Sequence, residues 1–228
     1  MDKRFLAILG VIVVGFFGFI LITKQKDDSS TNNSAKSGTA SNHVYGNPDA
    51  AVTFLEYADF QCPACGQFHS LIQEVKAKYK DQVAFVYKNF PIDSIHPNAR
   101  SAHRAAEAAG KQGKFYEMHD LLYENQTSWS SASNSKSIFE GYANQLGLNI
   151  DQFNSDYLSE LTNDDINADI NEGKSKGVVG TPTFFLNGTE LDNNDLRTVE
   201  LLSAKIDAAI AASAASQAPA DTSATTPN

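Results

Sequence analysis

Two cysteines stand three positions apart in the segment Cys62-Pro63-Ala64-Cys65, and the 228-residue chain contains no others. Residues at this spacing in a first helical turn have Cα atoms roughly 5–6 Å apart, within the range that a disulfide bridges. A bond between them closes a loop too short to stabilise a fold much. The pair therefore indicates redox chemistry in preference to a structural staple.

The position of each cysteine in the predicted helix assigns its role. Pro63 suits the first helical position, where its missing N–H costs nothing, and this places Cys62 at the N-cap. Free N–H groups and the helix dipole favour a thiolate there and can lower a thiol pKa from ~8.5 to ~3.5–7.5. Cys65 lies one turn further in and is more shielded. Cys62 is therefore predicted to be the nucleophile and leaving thiolate, and Cys65 the resolving thiol.

A zinc half-site and an inert disulfide are the two alternative roles for the cysteine pair. His69 follows Cys65 by four residues and His43 is near in sequence, but a structural zinc site normally needs four ligands. The remaining histidines, His96, His103 and His119, fall at no ligand spacing. The sequence therefore predicts no bound metal and no cofactor other than the redox-active disulfide.

A second motif lies far downstream, in Gly180-Thr181-Pro182-Thr183-Phe184-Phe185-Leu186-Asn187-Gly188. A proline at the start of an apolar strand is unusual because it cannot donate to the ladder. Either Pro182 lies at a sheet edge, or the Thr181–Pro182 bond is cis and turns the chain sharply.

Periodicity predicts the elements that must position these motifs. The predicted strands span 52–57, 83–88 and 183–186, and the turn signal Asn187-Gly188 starts a hairpin strand. A helix is predicted at 67–79, a helical block follows at 97–110, 114–124, 137–146, 150–158 and 161–176, and a last helix spans 195–212. This order describes a βαβ half, an all-helical insertion and a ββα half.

Together these motifs resemble the DsbA-like branch of the thioredoxin superfamily, over about residues 43–212. The resemblance rests on Phe60-Gln61-Cys62-Pro63-Ala64-Cys65 after a buried strand, with Gly180-Thr181-Pro182-Thr183-Phe184 downstream. It implies an α/β thioredoxin fold with an all-helical domain inserted between the βαβ and ββα halves. It also implies that Pro182 is cis, faces the cysteines and presents the Thr181 backbone to substrate. Pro63 and Ala64 are assigned to the same substrate-contacting surface.

Two charged residues in predicted central strands are further candidates. Glu56 lies six residues before Cys62, where related proteins carry a buried acid. Paired with Lys88, its carboxylate could shuttle the proton of Cys65 during exchange. The alternative is that both side chains end their strands and reach solvent, since an unpaired buried charge is costly.

The N-terminus predicts a membrane anchor. Lys3 and Arg4 precede an uncharged run at 5–22, whose 18 residues span roughly 27 Å, near the thickness of a bilayer core. We expect an uncleaved signal anchor; cleavage near Ala35 or Ala40 is the alternative. The slight excess of positive charge on the N-terminal side places the bulk of the chain outside the cytoplasm.

Composition divides the rest of the chain. The predicted parts are a cytoplasmic tip and anchor at 1–26, a flexible stalk at 27–42, the two thioredoxin halves at 43–94 and 177–212, the helical insertion at 95–176 and a disordered tail at 213–228. The stalk is mostly Ser, Thr, Asn, Lys and Gly with no apolar period. The tail is mostly Ala, Ser, Thr and Pro, and it cannot bury enough apolar area to fold. The net charge of −9 argues against nucleic-acid binding.

The predicted function is that of an extracytoplasmic thiol–disulfide oxidoreductase, a dithiol oxidase that donates the Cys62–Cys65 disulfide to exported proteins. The resemblance implies reoxidation by a membrane quinone-linked oxidase, and we expect a monomer. The alternatives are a membrane-tethered reductase or isomerase of the same fold, and a non-enzymatic binding or chaperone module. Ala64 stands where several strong oxidants have histidine, which predicts a milder oxidant.

Overall fold

The computed structural model describes residues 38–192 and 194–217, and within these ranges the fold is one five-stranded sheet with eight helices. The strands are β1 His43–Gly46, β2 Val52–Ala58, β3 Val83–Asn89, β4 Thr183–Leu186 and β5 Thr189–Glu190. The helices are α1 Pro63–Tyr79, α2 Ala99–Gly110, α3 Phe115–Glu124, α4 Gln126–Trp129, α5 Ser135–Gln145, α6 Ile150–Leu158, α7 Glu160–Ser175 and α8 Val199–Gln217.

The sheet has the strand order β1-β3-β2-β4-β5, with β2 at its centre. β2 and β3 are parallel and joined by α1, while β4 runs antiparallel to β2 and forms a hairpin with β5. This is the predicted βαβ half followed by a ββα half. The fold class predicted from the sequence is confirmed.

One face of the sheet packs against α1 and α8. Val52 and Phe54 of β2 meet Ile72 of α1 and Ile206 of α8 in one buried cluster. Leu55 and the other residues of opposite parity in β2 point to the second face, because side chains alternate along a strand. Both faces of β2 are thus covered, which explains its near-continuous apolar sequence.

The helical insertion, α2 to α7, has its own core, and that core continues to the cysteines. Most buried residues of α2 are alanines, with Ala102, Ala105 and Ala106 fully buried. Small side chains allow the neighbouring helices to approach closely. Phe139 of α5 and Phe153 of α6 fill the space between them, in the same cluster as Cys65.

Several predicted boundaries differ from the structure. The edge strand β1 was not predicted, because four residues are too short to show a period. Helix α8 continues to Gln217, into the predicted disordered tail, since alanine is the best helix former and Ile210 still packs on the core. The end of the predicted flexible stalk is bound: Thr39 N–H donates to Asp165 at 3.0 Å and Ser41 N–H to Asp169 at 2.7 Å.

The predicted anchor at 5–22, the rest of the stalk and most of the predicted tail lie outside the described residues. Among the described residues, no helix combines the length and the apolarity needed to cross a bilayer.

Candidate active site

The two cysteines lie where the central strand passes into α1, as the sequence predicts. β2 ends at Ala58, and Cys62 is the N-cap of α1, with extended backbone angles (φ −66°, ψ 122°) and Pro63 at the first helical position. The Cys62 N–H donates to the carbonyl of Asp59 at 3.0 Å, which closes the turn between strand and helix. Both cysteines are free thiols in this structure.

The two sulfurs have very different environments. Cys62 is 7% exposed and Cys65 is fully buried at 0%. Hydrogen bonds from the Cys65 thiol, the backbone N–H groups of Cys65 and Ala64 and the Thr181 hydroxyl lower the pKa of Cys62 to about 5, against the opposing effect of burial. Burial, and then the neighbouring Cys62, raise the pKa of Cys65 well above its usual value. At neutral pH Cys62 is therefore an anion and Cys65 keeps its proton.

The loop before β4 completes the site. The Thr181–Pro182 peptide bond is cis, as the resemblance implies. In its thiol form Cys62 Sγ donates to the Thr181 carbonyl at 3.4 Å. The buried Thr181 hydroxyl has no hydrogen-bond partner among the described residues, which leaves it free to donate to Cys62 when that thiol is ionised.

The surface beside the sulfur is apolar. Pro63 is exposed and Ala64 half-buried at the start of α1. Val179, two residues before Thr181, is 98% exposed, although an apolar side chain of this size gains nothing from water. The predicted contact of substrate with Pro63 and Ala64 stays a prediction of the family resemblance.

Glu56 is buried beneath the cysteines and carries a perturbed carboxyl. Desolvation by burial raises its pKa to about 7, and the charge of Lys76 partly opposes this. Its own charge is near enough to raise the pKa of Cys65. A carboxyl that titrates near neutral pH beside a buried thiol is equipped to exchange a proton with it.

The predicted pairing of Glu56 with Lys88 is wrong. The parallel register places Glu56 beside Tyr87 and Lys88 beside Tyr57, so the two charges project from opposite faces of the sheet. Lys88 donates to the Ser41 carbonyl and pairs with Asp169 at 3.2 Å and Glu172 at 3.1 Å.

The cation that does face Glu56 is Lys76, which sequence reasoning missed. It lies on α1, almost fully buried, and its ammonium group is 4.6 Å from the ring centroid of Tyr116. Burial lowers its pKa and the charge of Glu56 raises it. A signal was present in the sequence, since Lys76 lies four residues after Ile72 on the buried stripe of the helix.

A second missed residue is Gln126, from α4 of the helical insertion. Its amide donates to the carbonyls of Phe60 at 2.8 Å and Cys62 at 2.9 Å. A Cβ on Gly66 would lie 2.7 Å from the amide oxygen of Gln126, so glycine allows α1 and α4 to approach here. The insertion therefore holds the segment that carries the reactive sulfur.

Comparison with known proteins agrees with this geometry. A thioredoxin family model matches residues 38–208. The crystal structure of α-DsbA1 from Wolbachia pipientis superposes with a TM-score of 0.66 at 19% identity, over 82% of this chain and 100% of that one. A thioredoxin-like oxidoreductase from Silicibacter pomeroyi superposes with a TM-score of 0.60 at 25% identity, over 74% of this chain and 91% of that one. The fold is the DsbA type, with its helical insertion.

A curated relative is much longer than this chain. The Na⁺/H⁺ antiporter NhaA 1 of Salinispora arenicola is 37% identical over 169 residues, which are 74% of this chain and 25% of the antiporter. The chain thus spans about a quarter of the length of the curated relatives it matches. The ion transport in that name is a property of the longer protein and is not transferred to this chain.

Proposed function

The chain belongs to the thioredoxin family, and on that premise we propose that it is a protein thiol–disulfide oxidoreductase acting as a dithiol oxidase. One observation carries the proposal: Cys62, slightly exposed at the start of α1, has a pKa of about 5, and its fully buried partner Cys65 keeps its proton. A stabilised thiolate favours the reduced protein, and a protein whose reduced form is favoured passes its disulfide to others.

The proposed reaction has two exchanges. A substrate thiolate attacks Cys62 Sγ of the oxidised protein, the Cys62–Cys65 bond breaks, and Cys65 leaves with the electron pair. A second substrate thiolate then attacks the substrate sulfur of the mixed disulfide, and Cys62 leaves as a thiolate. The substrate loses two electrons and gains a disulfide, and the protein gains both electrons as one thiolate and one thiol. The low pKa of Cys62 makes it the better leaving group in the second exchange.

Glu56 supplies the proton that Cys65 needs in the first exchange. Its carboxyl, with a pKa of about 7, is the stronger acid, so the proton moves to the departing Cys65 sulfur. The ammonium of Lys76 then faces the carboxylate that remains. In the reverse direction the same carboxylate accepts the proton of Cys65.

The substrates proposed are reduced or unfolded exported proteins, held against the Thr181 and Pro182 backbone beside Pro63 and Ala64. The basic residues and the apolar run at 5–22 support a tether in the cell membrane with the redox domain outside the cytoplasm. A membrane quinone-linked oxidase is the proposed route of reoxidation, as the family resemblance implies.

Transfer of the disulfide can be tested directly. The oxidised protein, mixed with a reduced and unfolded multi-cysteine enzyme in glutathione buffer, should restore that enzyme's activity. Cys65→Ala should trap a mixed disulfide at Cys62, and Cys62→Ala should trap none. If the parent protein restores no activity and Cys65→Ala traps nothing, the oxidase proposal is wrong.

Reduction by the same fold is the second candidate, and Ala64 is the observation that favours it, because alanine adds no charge to stabilise the Cys62 thiolate. The reduction potential separates the two directions. A value near that of thioredoxin, about −270 mV, would favour a reductase, and a value well above it an oxidase.

A further inference from the structure

Two histidines and an aspartate that are far apart in sequence meet where α1 approaches α3. His69 lies on α1, and His119 and Asp120 lie on α3. One ligand atom from each lies within 4.8 Å of the other two. We propose that His69, His119 and Asp120 form a binding site for a divalent first-row transition ion of the zinc type, separate from the cysteine pair.

The donor set and its spacing fit such an ion. His119 Nδ1 lies 2.8 Å from Asp120 Oδ1, and His69 Nε2 lies 4.0 Å from the same oxygen. Two imidazoles and one carboxylate are a set that Zn²⁺ takes while keeping an open fourth position for water. Two ligand atoms of a tetrahedral ion with bonds of about 2.0–2.2 Å lie about 3.4 Å apart. Binding would therefore bring His69 closer to Asp120 and move His119 Nδ1 slightly away from it.

The buried imidazole of His119 is held against the carboxylate. His119 is 2% exposed, and its Nδ1 is the nitrogen that faces Asp120. A neutral imidazole binds metal through one ring nitrogen, and an ion at Nδ1 would replace the present hydrogen bond between His119 and Asp120.

The surroundings give the site access and rigidity. The Asp120 side chain is 36% exposed and opens the cluster to solvent. Tyr123 stacks on His69 with ring centroids 5.1 Å apart, and Gln73 donates its amide to Asp120. The buried ammonium of Lys76 is the opposing charge, and the negative charges of Glu56 and Asp120 both act on it.

The sequence predicted no metal ligands, because His69 and His119 are fifty positions apart and belong to different elements. Only the packing of α3 against α1 brings them together. Helix α1 carries Cys65 one turn before His69. Any test must therefore first remove the two thiols, because they would compete as ligands.

The test uses the full chain with Cys62→Ser and Cys65→Ser, titrated with Zn²⁺ by isothermal titration calorimetry. We expect one ion per chain. His69→Gln and Asp120→Asn should each weaken Zn²⁺ binding by at least about 10- to 100-fold. Removing only a group that orients a metal ligand already has an effect of that size. The matched control is His43→Gln, since His43 also pairs with an acid, Glu107, at 2.9 Å but has no third ligand beside it in the described part of the chain. It should bind like the parent.

A second readout guards against a folding defect in the variants. Zn²⁺ should raise the Tm of the thiol-free parent and of the His43→Gln protein, because a ligand that binds only the folded state stabilises it. It should raise the Tm of His69→Gln by less at the same Zn²⁺ concentration, because weaker binding stabilises less. The proposal is overturned if the parent binds no Zn²⁺, or if His69→Gln and Asp120→Asn bind it as tightly as the parent does.

Discussion

At the scale of single residues, position in the fold makes two identical side chains chemically different. Cys62 stands outside the first turn of α1, where hydrogen-bond donors converge on its sulfur. Cys65 belongs to the core that runs into the helical insertion, where no charge is solvated. The contrast between the thiols therefore depends on the helix start and the Thr181 loop together.

Thr181→Val should raise the pKa of Cys62. The hydroxyl of Thr181 donates to the thiolate, and valine has the same shape without the donor. Alkylation of Cys62 followed against pH measures the change, with a midpoint near 5 in the parent and a higher one in the variant. Thr183→Val is the matched control, since its hydroxyl bonds the Gly180 carbonyl at 2.9 Å and not the sulfur. Equal midpoints in all three proteins would refute this role of Thr181.

The stability of the reduced protein should depend on pH in a defined direction. The pKa of Cys62 falls from 9.0 in the unfolded chain to about 5 in the folded one. Its stabilisation is therefore complete above pH 9 and is lost as the pH falls to about 5. The oxidised protein lacks this thiol, but it has the same carboxyl groups as the reduced protein. Urea unfolding of both forms between these limits should show that the free energy of unfolding of the reduced form rises relative to that of the oxidised form as the pH rises. If the two free energies change in parallel with pH, Cys62 is not a stabilised thiolate.

Glu56→Gln should slow the exchange of the buried thiol. The amide cannot move a proton to or from Cys65, and general acid–base groups of this kind are worth about 100-fold or more in rate. Resolution of a mixed disulfide by Cys65, measured at neutral pH by rapid quenching, reports the step. The rate of the parent should also vary with pH around 7, where Glu56 titrates, and that variation should vanish in the variant.

Glu107→Gln is the control for Glu56→Gln. Glu107 is also a buried carboxylate, but it bonds His43 and Asn89 away from the thiols. Its substitution should lower stability and leave the pH profile of the exchange in place. A parent profile that survives in Glu56→Gln would exclude the carboxyl from proton transfer.

At the scale of elements, α7 lies close to the sheet because glycine occupies position 173, where the two meet. A Cβ on Gly173 would lie 3.0 Å from ring carbons of both Phe90 and Tyr57. These rings pack edge-on with centroids 6.2 Å apart, so neither can turn away freely. Glycine at this point allows the helix to cover the second face of the sheet.

Gly173→Ala should therefore destabilise the protein although alanine is the better helix former. Overpacking costs about 1–3 kcal/mol, and the helix gains at most about 1 kcal/mol. Gly141 of α5 is the matched control, because a Cβ there meets nothing within 4 Å. Gly141→Ala should stabilise by about 0.5–1 kcal/mol. Urea unfolding of both variants checks the signs, and a stabilising Gly173→Ala would contradict the close approach.

The same elements mark how far the sequence could lead. Continuous apolarity located β2 and β3, and the cysteine spacing with Pro63 located the start of α1. The register of the strands could not be predicted from the sequence. Glu56 pairs with Tyr87, one position before Lys88, so Lys88 lies on the other face of the sheet and Lys76 is the cation beside Glu56. Gln126 was beyond reach too, since its contact with the cysteine loop depends on how the insertion docks.

At the scale of the whole molecule, one carboxylate connects three parts of the chain. Asp169 of α7 is fully buried and accepts hydrogen bonds from Ser41 before β1 and from Asn89 at the end of β3. Lys88 completes the cluster at 3.2 Å. The segment that precedes the first strand is thereby fastened to the sheet and to the helical insertion at the same point.

Asp169→Asn should loosen this connection. All five groups bonded to the carboxylate are donors, so the amide of asparagine would turn its own N–H₂ toward some of them. Leaving buried groups unpaired costs about 1–3 kcal/mol. Asp165→Asn is the control, since Asp165 is more exposed and, within the described residues, accepts only from Thr39 through an oxygen that asparagine keeps.

Chemical denaturation compares the two aspartate variants, and proteolysis before residue 43 reports release of the segment. Asp169→Asn should be cut faster than the parent, and Asp165→Asn at the parental rate. Equal cutting of both variants would show that the segment is held by other contacts.

The complete enclosure of Cys65 has a consequence for any protein that undergoes the proposed reaction. Only Cys62 can be touched from outside, so a client is joined to its oxidant through a single bond between two sulfurs. The client can rotate about that bond, and whichever of its other cysteines first reaches the mixed disulfide attacks it and releases the client from Cys62. The selection of partners is thus left to the folding of the client itself.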